Sequence, residues 1–425
     1  MTGSSLRHLG RKIFSLGSGE VVGRLCGIAT VVLLARRSGV AAVGVYALAQ
    51  SMLQYSYPFI DFGLRHVGAR LIAKYPEAGQ EIVERVQKRR LLMGSLILPL
   101  LLLYVALTKL PLDLKVFLVL FSATGCLYAV SLEWAAWGKD NLRLVGFTKA
   151  LAPGGVLLFL LLGRNSEHVL WWMILGNVIG YGLQGLVFWR WWQRLKPSQD
   201  RQVSPAMIRE SLAWRRTSIM GLAWFCNLAF NSIDMLMLGI MSNAQQVGLY
   251  SAAYRVMNQV LFTYYLLTQA LYPQLARQDL AQRTRALQSR ILLLLVGAGI
   301  AIALVLSASA RVVLAVVFGN QFLPATFLLL LLAWAIPLDF LTSYLSNAYI
   351  AWNMEKKVLA CTAAAAGSNV LLNLIWIPTH GATAAALNTL VSYIIFLAGL
   401  ALTGVYANEL TREPQPQANP VGLFK

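Results

Sequence analysis

Charge is scarce in this sequence: only 12% of its 425 residues are Asp, Glu, Lys or Arg, where a soluble domain carries about 25%. A water-soluble surface cannot be built over a chain of this length from so few charges, and 58% of the residues are apolar. Cysteine is equally sparse. Cys26, Cys126, Cys226 and Cys361 stand far apart with no CxxC pair, a pattern that supports neither a metal site nor a redox centre and reads as small apolar packing residues. No GxxxxGK[ST] string is present, so no ATP-binding loop powers the chain. The net charge of +19 would suit nucleic acid, but the cations sit in short gaps between apolar runs, and we expect no nucleic-acid partner.

What fills the sequence instead is a series of apolar stretches, each near the roughly 20 residues that cross a bilayer. Twelve spans are predicted, near 13–36, 39–62, 89–108, 114–137, 143–162, 167–190, 212–240, 247–272, 289–310, 323–350, 355–377 and 381–406. The longer ones can tilt or extend past the hydrocarbon. The basic connections 63–88 and 191–211 are expected to hold interfacial helical turns. Glu20 and Arg24 interrupt the first apolar stretch, so it is expected to stay as a first helix rather than be removed as a signal peptide.

Lys and Arg set the expected orientation. With the N-terminus inside, 27 of the 36 fall in inside segments, 6 in outside segments, and Arg24, Lys149 and Arg255 within spans. Both termini of this multi-pass chain are therefore expected in the cytoplasm.

The chain also repeats. Val43-Gly44-Val45-Tyr46-Ala47-Leu48-Ala49 aligns with Val247-Gly248-Leu249-Tyr250-Ser251-Ala252-Ala253 at an offset of 204, which also maps span one onto span seven and span three onto span nine. Six spans per repeat keep both halves in one orientation, the parallel repeat found in transporters. The expected fold is all-α: an N-terminal lobe over residues 1–195, a cytoplasmic linker over 196–211, and a C-terminal lobe with a short tail over 212–425, the two six-helix lobes surrounding a central cavity.

Polar residues within the spans recur at helical spacing. Span two carries Tyr46, Gln50, Gln54, Tyr57 and Asp61; span seven Asn227, Asn231 and Asp234; span eight Ser251, Arg255, Asn258 and Gln269. Spans ten to twelve carry Asp339, Ser343, Asn347, Asn369, Asn373, Asn388 and Ser392. Such stripes either line a hydrated cavity or bond helix to helix. Glu20 and Arg24 are four apart and able to pair. Asp234 and Arg255 fall at one depth, where they pair or both face the cavity. Tyr46, Tyr57, Trp134, Trp137 and Trp224 serve either as stacking faces for sugars or as packing and interfacial aromatics.

Ordered strings across the chain then resemble a family. They are Leu33-Leu34-Ala35-Arg36-Arg37-Ser38-Gly39, Asp61-Phe62-Gly63-Leu64, Asp234-Met235-Leu236-Met237-Leu238-Gly239 continuing to Tyr254-Arg255, Tyr272-Pro273, Phe318-Gly319, and Asn369-Val370-Leu371-Leu372-Asn373 leading to Ile377-Pro378 and Gly381-Ala382. The chain resembles the oligosaccharide flippases, such as the O-antigen translocases, of the multidrug/oligosaccharidyl-lipid/polysaccharide exporter superfamily. It departs from that pattern at Arg37-Ser38-Gly39 and at Trp352-Asn353-Met354.

The resemblance implies a flippase that carries a polyprenyl-diphosphate-linked oligosaccharide from the cytoplasmic to the periplasmic leaflet by alternating access. The expected cavity ligands are Arg24, Lys149, Arg255, Gln50, Gln54, Asn231 and Asn258, the cations facing the diphosphate. The expected ion-coupling acids are Glu20, Asp61, Asp234 and Asp339, for H⁺ or Na⁺. No catalytic residue, metal or organic cofactor is expected. Partners would be the lipid-linked oligosaccharide, the bilayer, and a glycan polymerase with its chain-length machinery. The alternative is an ion-coupled exporter of another small or lipidic substrate in the same superfamily. An enzyme is disfavoured because no outward loop exceeds about a dozen residues, too short to hold a periplasmic catalytic loop; a scaffold leaves the repeat and the stripes unexplained.

Overall fold

A computed structural model describes residues 3–163, 166, 168–195, 205–276 and 285–406. Residues 196–204 of the expected linker and the expected tail beyond 406 lie outside these, as does the side chain of Gln269. All regular structure among the described residues is helical. The helices are α1 (Gly3–Asp61), α2 (Leu64–Lys74), α3 (Gly79–Ser95), α4 (Ile97–Leu107), α5 (Leu112–Ala123), α6 (Gly125–Val130), α7 (Glu133–Gly138), α8 (Leu142–Lys149) and α9 (Leu151–Leu162). They continue as α10 (Val169–Gln193), α11 (Pro205–Ser211), α12 (Trp214–Met241), α13 (Ala244–Ala276), α14 (Arg285–Val317), α15 (Thr326–Ala333), α16 (Ala335–Ala351), α17 (Glu355–His380) and α18 (Ala382–Tyr406).

Among the described residues, nine continuous helical stretches are long and apolar enough to cross a membrane. Two of them, Gly17–Asp61 with 45 residues and Glu355–Thr403 with 49, are each long enough for two crossings. Their folding points are glycines. Gly39 takes φ 82° inside α1, and Gly381 takes φ 55° between α17 and α18, a backbone region closed to most side chains. Large apolar side chains remain uncovered along the helices. On α14, Leu293, Leu294 and Val305 are 71%, 73% and 69% exposed, which water would not tolerate over so continuous a face and lipid does. The chain is a multi-pass membrane protein.

The helices form two compact units. One comprises residues 1–251 with 315–322, the other 252–314 with 323–425. Within the first unit, α12 and the start of α13 pack on α1. The packing explains the repeated string. A Cβ on Gly44 would strike the Ala244 carbonyl, and a Cβ on Gly248 would strike the Val40 carbonyl. Positions 44 and 248, and likewise 40 and 244, are equivalent under the 204-residue offset. The contact is therefore reciprocal, as a pseudo-two-fold relation between repeats requires. Residues 315–322 dock near the Gly39 bend, where Arg36 donates to the Val316 carbonyl and Gln321 to the Ala35 carbonyl.

Span four, expected over 114–137, is corrected. Its helical run ends at Val130, Ser131 is extended (φ −65°, ψ 135°), and α7 is a separate helix. The break has a cause: the guanidinium of Arg90 takes up the carbonyls of Tyr128 at 2.9 Å and Ser131 at 2.5 Å. Around α7 lies an apolar layer of Leu64, Ile72, Ile82, Val86, Trp134, Phe188 and Leu212. The basic 63–88 connection thus folds as helices α2 and α3 over a buried core. Trp134 is 1% exposed and packs near Gly68, so it offers no stacking face to a sugar.

The second unit contains α15–α18. Asn369, Asn373, Asn388 and Ser392 are 0% exposed. Asn373 donates to Asn369 Oδ1 at 2.6 Å, Asn388 donates to Asn373 Oδ1 at 2.8 Å, and Ser392 donates to the Asn388 carbonyl at 2.7 Å. These hydrogen bonds join the buried faces of α17 and α18, the second of the two roles open to such stripes from the sequence.

Candidate functional site

The first unit holds an open cavity of about 420 Å³, and its wall gathers charge from distant segments. Glu20, Gly23, Arg24 and Gly27 lie on one face of α1 before the Gly39 bend, spaced by three and four residues. Tyr46, Gln50, Gln54 and Tyr57 repeat that spacing after the bend. Lys149 ends α8, and Ala152, Pro153 and Val156 follow on α9. Asn177 and Tyr181 enter from α10.

Small residues let these helices close up. A Cβ on Gly23 would lie 3.1 Å from the Lys149 carbonyl, so α1 meets the α8–α9 junction at backbone distance. On α10, Gly176 and Gly180 form a GxxxG pair against Gly155 and Ala152 of α9. Asn177 and Tyr181 each follow one of these glycines, and that close packing presents them to the cavity.

One carboxylate holds two cations here. Glu20 Oε2 lies 2.5 Å from Lys149 Nζ, and Glu20 Oε1 lies 3.4 Å from Arg24 Nε. The three side chains keep 34%, 30% and 39% of their surface exposed, respectively, so the cluster is open to the cavity and not sealed in the core. The pairing of Glu20 with Arg24 follows from their i,i+4 spacing; the cross-helix reach to Lys149 does not. Around the charges stand neutral hydrogen-bonding groups. Gln50 donates to the Tyr46 hydroxyl at 2.8 Å, Asn177 donates to Thr124 Oγ1 at 2.7 Å, and the hydroxyls of Tyr57 and Tyr181 are bonded to each other. The Phe121 ring closes one side, edge-on to Tyr46 at 5.5 Å. The cavity thus combines a net positive charge with amides, phenols and aromatic faces.

Of the residues singled out from sequence, Glu20, Arg24, Tyr46, Gln50, Gln54, Tyr57 and Lys149 come together on this wall. The other expected ligands and ion-coupling acids lie elsewhere. Asp61 is 0% exposed, 2.8 Å from Arg90 Nε, and accepts from the Tyr128 hydroxyl at 2.5 Å. On α12, Asn231 donates to the Asn227 carbonyl at 2.7 Å, and buried Asp234 accepts from the Tyr250 hydroxyl at 2.9 Å. Arg255, Asn258 and Asp339 belong to the second unit, where Ser343 donates to Asp339 at 3.4 Å.

Sequence reading missed Asn177 and Tyr181, although the Gly176-xxx-Gly180 spacing marks that helix face as a close contact. It also missed Arg90 and Glu133, which lie near the ends of the expected spans three and four and are buried. Arg65 pairs with Glu133 at 3.1 Å, beside the Asp61–Arg90 pair, and Tyr128 joins this network to the cavity by packing on Tyr57 at 4.7 Å.

Comparison with known proteins agrees with this architecture. Similar solved structures include an inward-facing multidrug resistance MATE family transporter of the MOP superfamily, with TM-score 0.68 and 14% identity over 95% of this chain and 100% of that one. Another is the lipid II flippase MurJ in an inward closed conformation, with TM-score 0.62 and 13% identity over 92% of this chain and 87% of that one. A MOP superfamily transporter from Pyrococcus furiosus, described as having a binding pocket of reverse polarity, gives TM-score 0.60 and 14% identity over 94% and 95% of the two chains. At such identities the likeness is one of fold. No curated protein matches the sequence significantly. The model of the polysaccharide biosynthesis protein family matches residues 9–137 and 147–279, more than half of the sequence. The chain belongs to the polysaccharide biosynthesis protein family and has the fold of the MOP-superfamily transporters.

Proposed function

We propose that the protein is a flippase for a polyprenyl-diphosphate-linked oligosaccharide, moving it from the cytoplasmic to the periplasmic leaflet during polysaccharide biosynthesis. The observation that carries this reading is the cavity in which Arg24 and Lys149 share the single carboxylate of Glu20. Two cations against one anion favour an anionic group, and a diphosphate offers the oxygens that Arg and Lys bind best. Gln50, Gln54, Asn177 and the phenols of Tyr57 and Tyr181 supply the alternating donors and acceptors that sugar hydroxyls match. The polyprenyl tail stays in lipid. Family membership supports the same cargo class.

Glu20 gives the site a way to release its cargo. While it binds both cations it competes with the diphosphate; once protonated it frees both. Protonation in one orientation and deprotonation in the other would couple transport to H⁺. Asp61, Asp234 and Asp339 remain further candidates for ion coupling, and Na⁺ the alternative ion. The Lys and Arg distribution supports an orientation with both termini in the cytoplasm. The glycan polymerase and chain-length machinery would take the product on the far side. Export of a cationic drug fits less well, since two cations already line the wall.

Reconstituted vesicles carrying a fluorescent polyprenyl-diphosphate oligosaccharide test the reading. Wild-type protein should move the probe to the inner leaflet, and Arg24→Ala with Lys149→Ala should slow it at least tenfold while leaving elution and helicity unchanged. Undiminished translocation by the double variant would refute the assignment of the cargo's phosphates to this cavity.

A further inference from the structure

A second cavity of about 540 Å³ opens on the first unit, shares no lining residue with the charged cavity, and is lined by Arg85, Lys88, Arg89, Leu92 and Leu212. The four α3 residues recur at intervals of three, one and three, so they share one helix face. Arg85 is paired with Glu81 at 2.8 Å. Among the described residues, neither Lys88 nor Arg89 has an acidic partner. Arg89 is nevertheless held in place: its guanidinium donates to the Leu212 carbonyl and stacks over the Trp214 ring at 5.4 Å. A fixed guanidinium beside an exposed lysine makes a preorganised anion site, not a set of loose surface cations.

The surroundings say where the anion comes from. Just beyond the basic turn the exposed residues become leucines: Leu91, Leu92, Leu96, Leu98, Leu102 and Leu103. On the other side, Trp192 of α10 lies over Gly79 at the start of α3, and exposed Trp189 and Arg190 stand on the same turn of α10. Tryptophan and arginine at a helix end, followed by a lipid-facing leucine surface, mark the headgroup level of a bilayer. The cavity therefore sits where a glycerophospholipid keeps its phosphate, with α3 and α4 leucines alongside its acyl chains. A choline headgroup would bring its own cation against three others, whereas an anionic headgroup adds charge of the right sign.

We propose that Arg85, Lys88 and Arg89 form a binding site for the headgroup of an anionic phospholipid. The site is independent of the transported cargo. It would tie the α3 end of the first unit, and with it the Arg90–Asp61 pair one residue further along α3, to the charge of the membrane.

Native mass spectrometry of the purified full chain tests this, with phosphatidylglycerol or phosphatidylcholine of the same acyl chains added in detergent. Wild-type protein should retain phosphatidylglycerol at least tenfold more strongly, and Arg85→Gln with Lys88→Gln should lose that preference while keeping its elution volume and helicity. Equal retention of the two lipids by the wild type overturns the proposal without any variant. Retention unchanged in the double variant overturns it too. Displacement of phosphatidylglycerol by an equal concentration of farnesyl diphosphate would reassign the site to the cargo, and displacement by millimolar inorganic phosphate would reduce it to a general anion site. Arg24→Gln, which alters the other cavity, should retain the lipid as wild type does, so failure of the flippase reading shows separately.

Discussion

Replacing Arg90 by methionine should cost the protein about 5 kcal/mol of stability. Arg90 is 1% exposed and Asp61 0% exposed, with Nε and Oδ1 2.8 Å apart. Removing one member of a buried pair leaves the other charge uncompensated, a loss of about 3–5 kcal/mol. Asp61 would keep the Tyr128 hydroxyl but no cation in ion-pair contact among the described residues. The Tyr128 and Ser131 carbonyls would also lose their donor, and each buried acceptor left unpaired costs roughly 1–3 kcal/mol, with overlap between the terms. The double variant Asp61→Asn with Arg90→Met removes the stranded carboxylate but not the carbonyl deficit. It should therefore recover about 2–3 kcal/mol relative to Arg90→Met alone. SDS-driven unfolding of the purified chain in bicelles, followed by far-UV circular dichroism, measures all three. If Arg90→Met unfolds at the wild-type midpoint, or if the double variant is no more stable than the single one, the pair is not the buried lock described.

Other substitutions probe the remaining contacts. Gly248→Leu should abolish monodisperse protein on size exclusion, because its side chain would enter the Val40 backbone at the repeat contact; Gly367→Ala, with nothing within 4 Å of its added carbon, should be tolerated. Glu20→Gln should raise the affinity of the cavity for a diphosphate probe at least tenfold in a binding titration, and Lys149→Met should lower it by a similar factor; a change of the same sign in both would show that Glu20 does not compete with the anion. Asn373→Ala should lower stability by about 1 kcal/mol in the same SDS assay, since it removes two side-chain hydrogen bonds between fully buried partners, and such hydrogen bonds in membranes are worth that much.

Sequence by itself determined the solvent, the element type and the repeat. Runs of roughly 20 apolar residues have only one stable form in lipid, because a helix satisfies its own backbone polar groups there. The recurrence at an offset of 204 needed no coordinates either, and Glu20 with Arg24 was legible from helical spacing alone. What tertiary structure decided was which polar residues meet. The stripe of Tyr46, Gln50, Gln54 and Tyr57 ends on Asp61, yet the first four line the cavity and Asp61 turns to Arg90. Periodicity assigns a residue to a helix face but not that face to a neighbour, and Arg90 stands at the very start of the expected span three. The amides of α17 and α18 show the same limit: Asn369, Asn373 and Asn388 have the pattern of a wet surface and the packing of a dry one. Lys149 reaches Glu20 across 129 residues of sequence, a distance that only the close approach of Gly23 to the α8–α9 junction brings within bonding range.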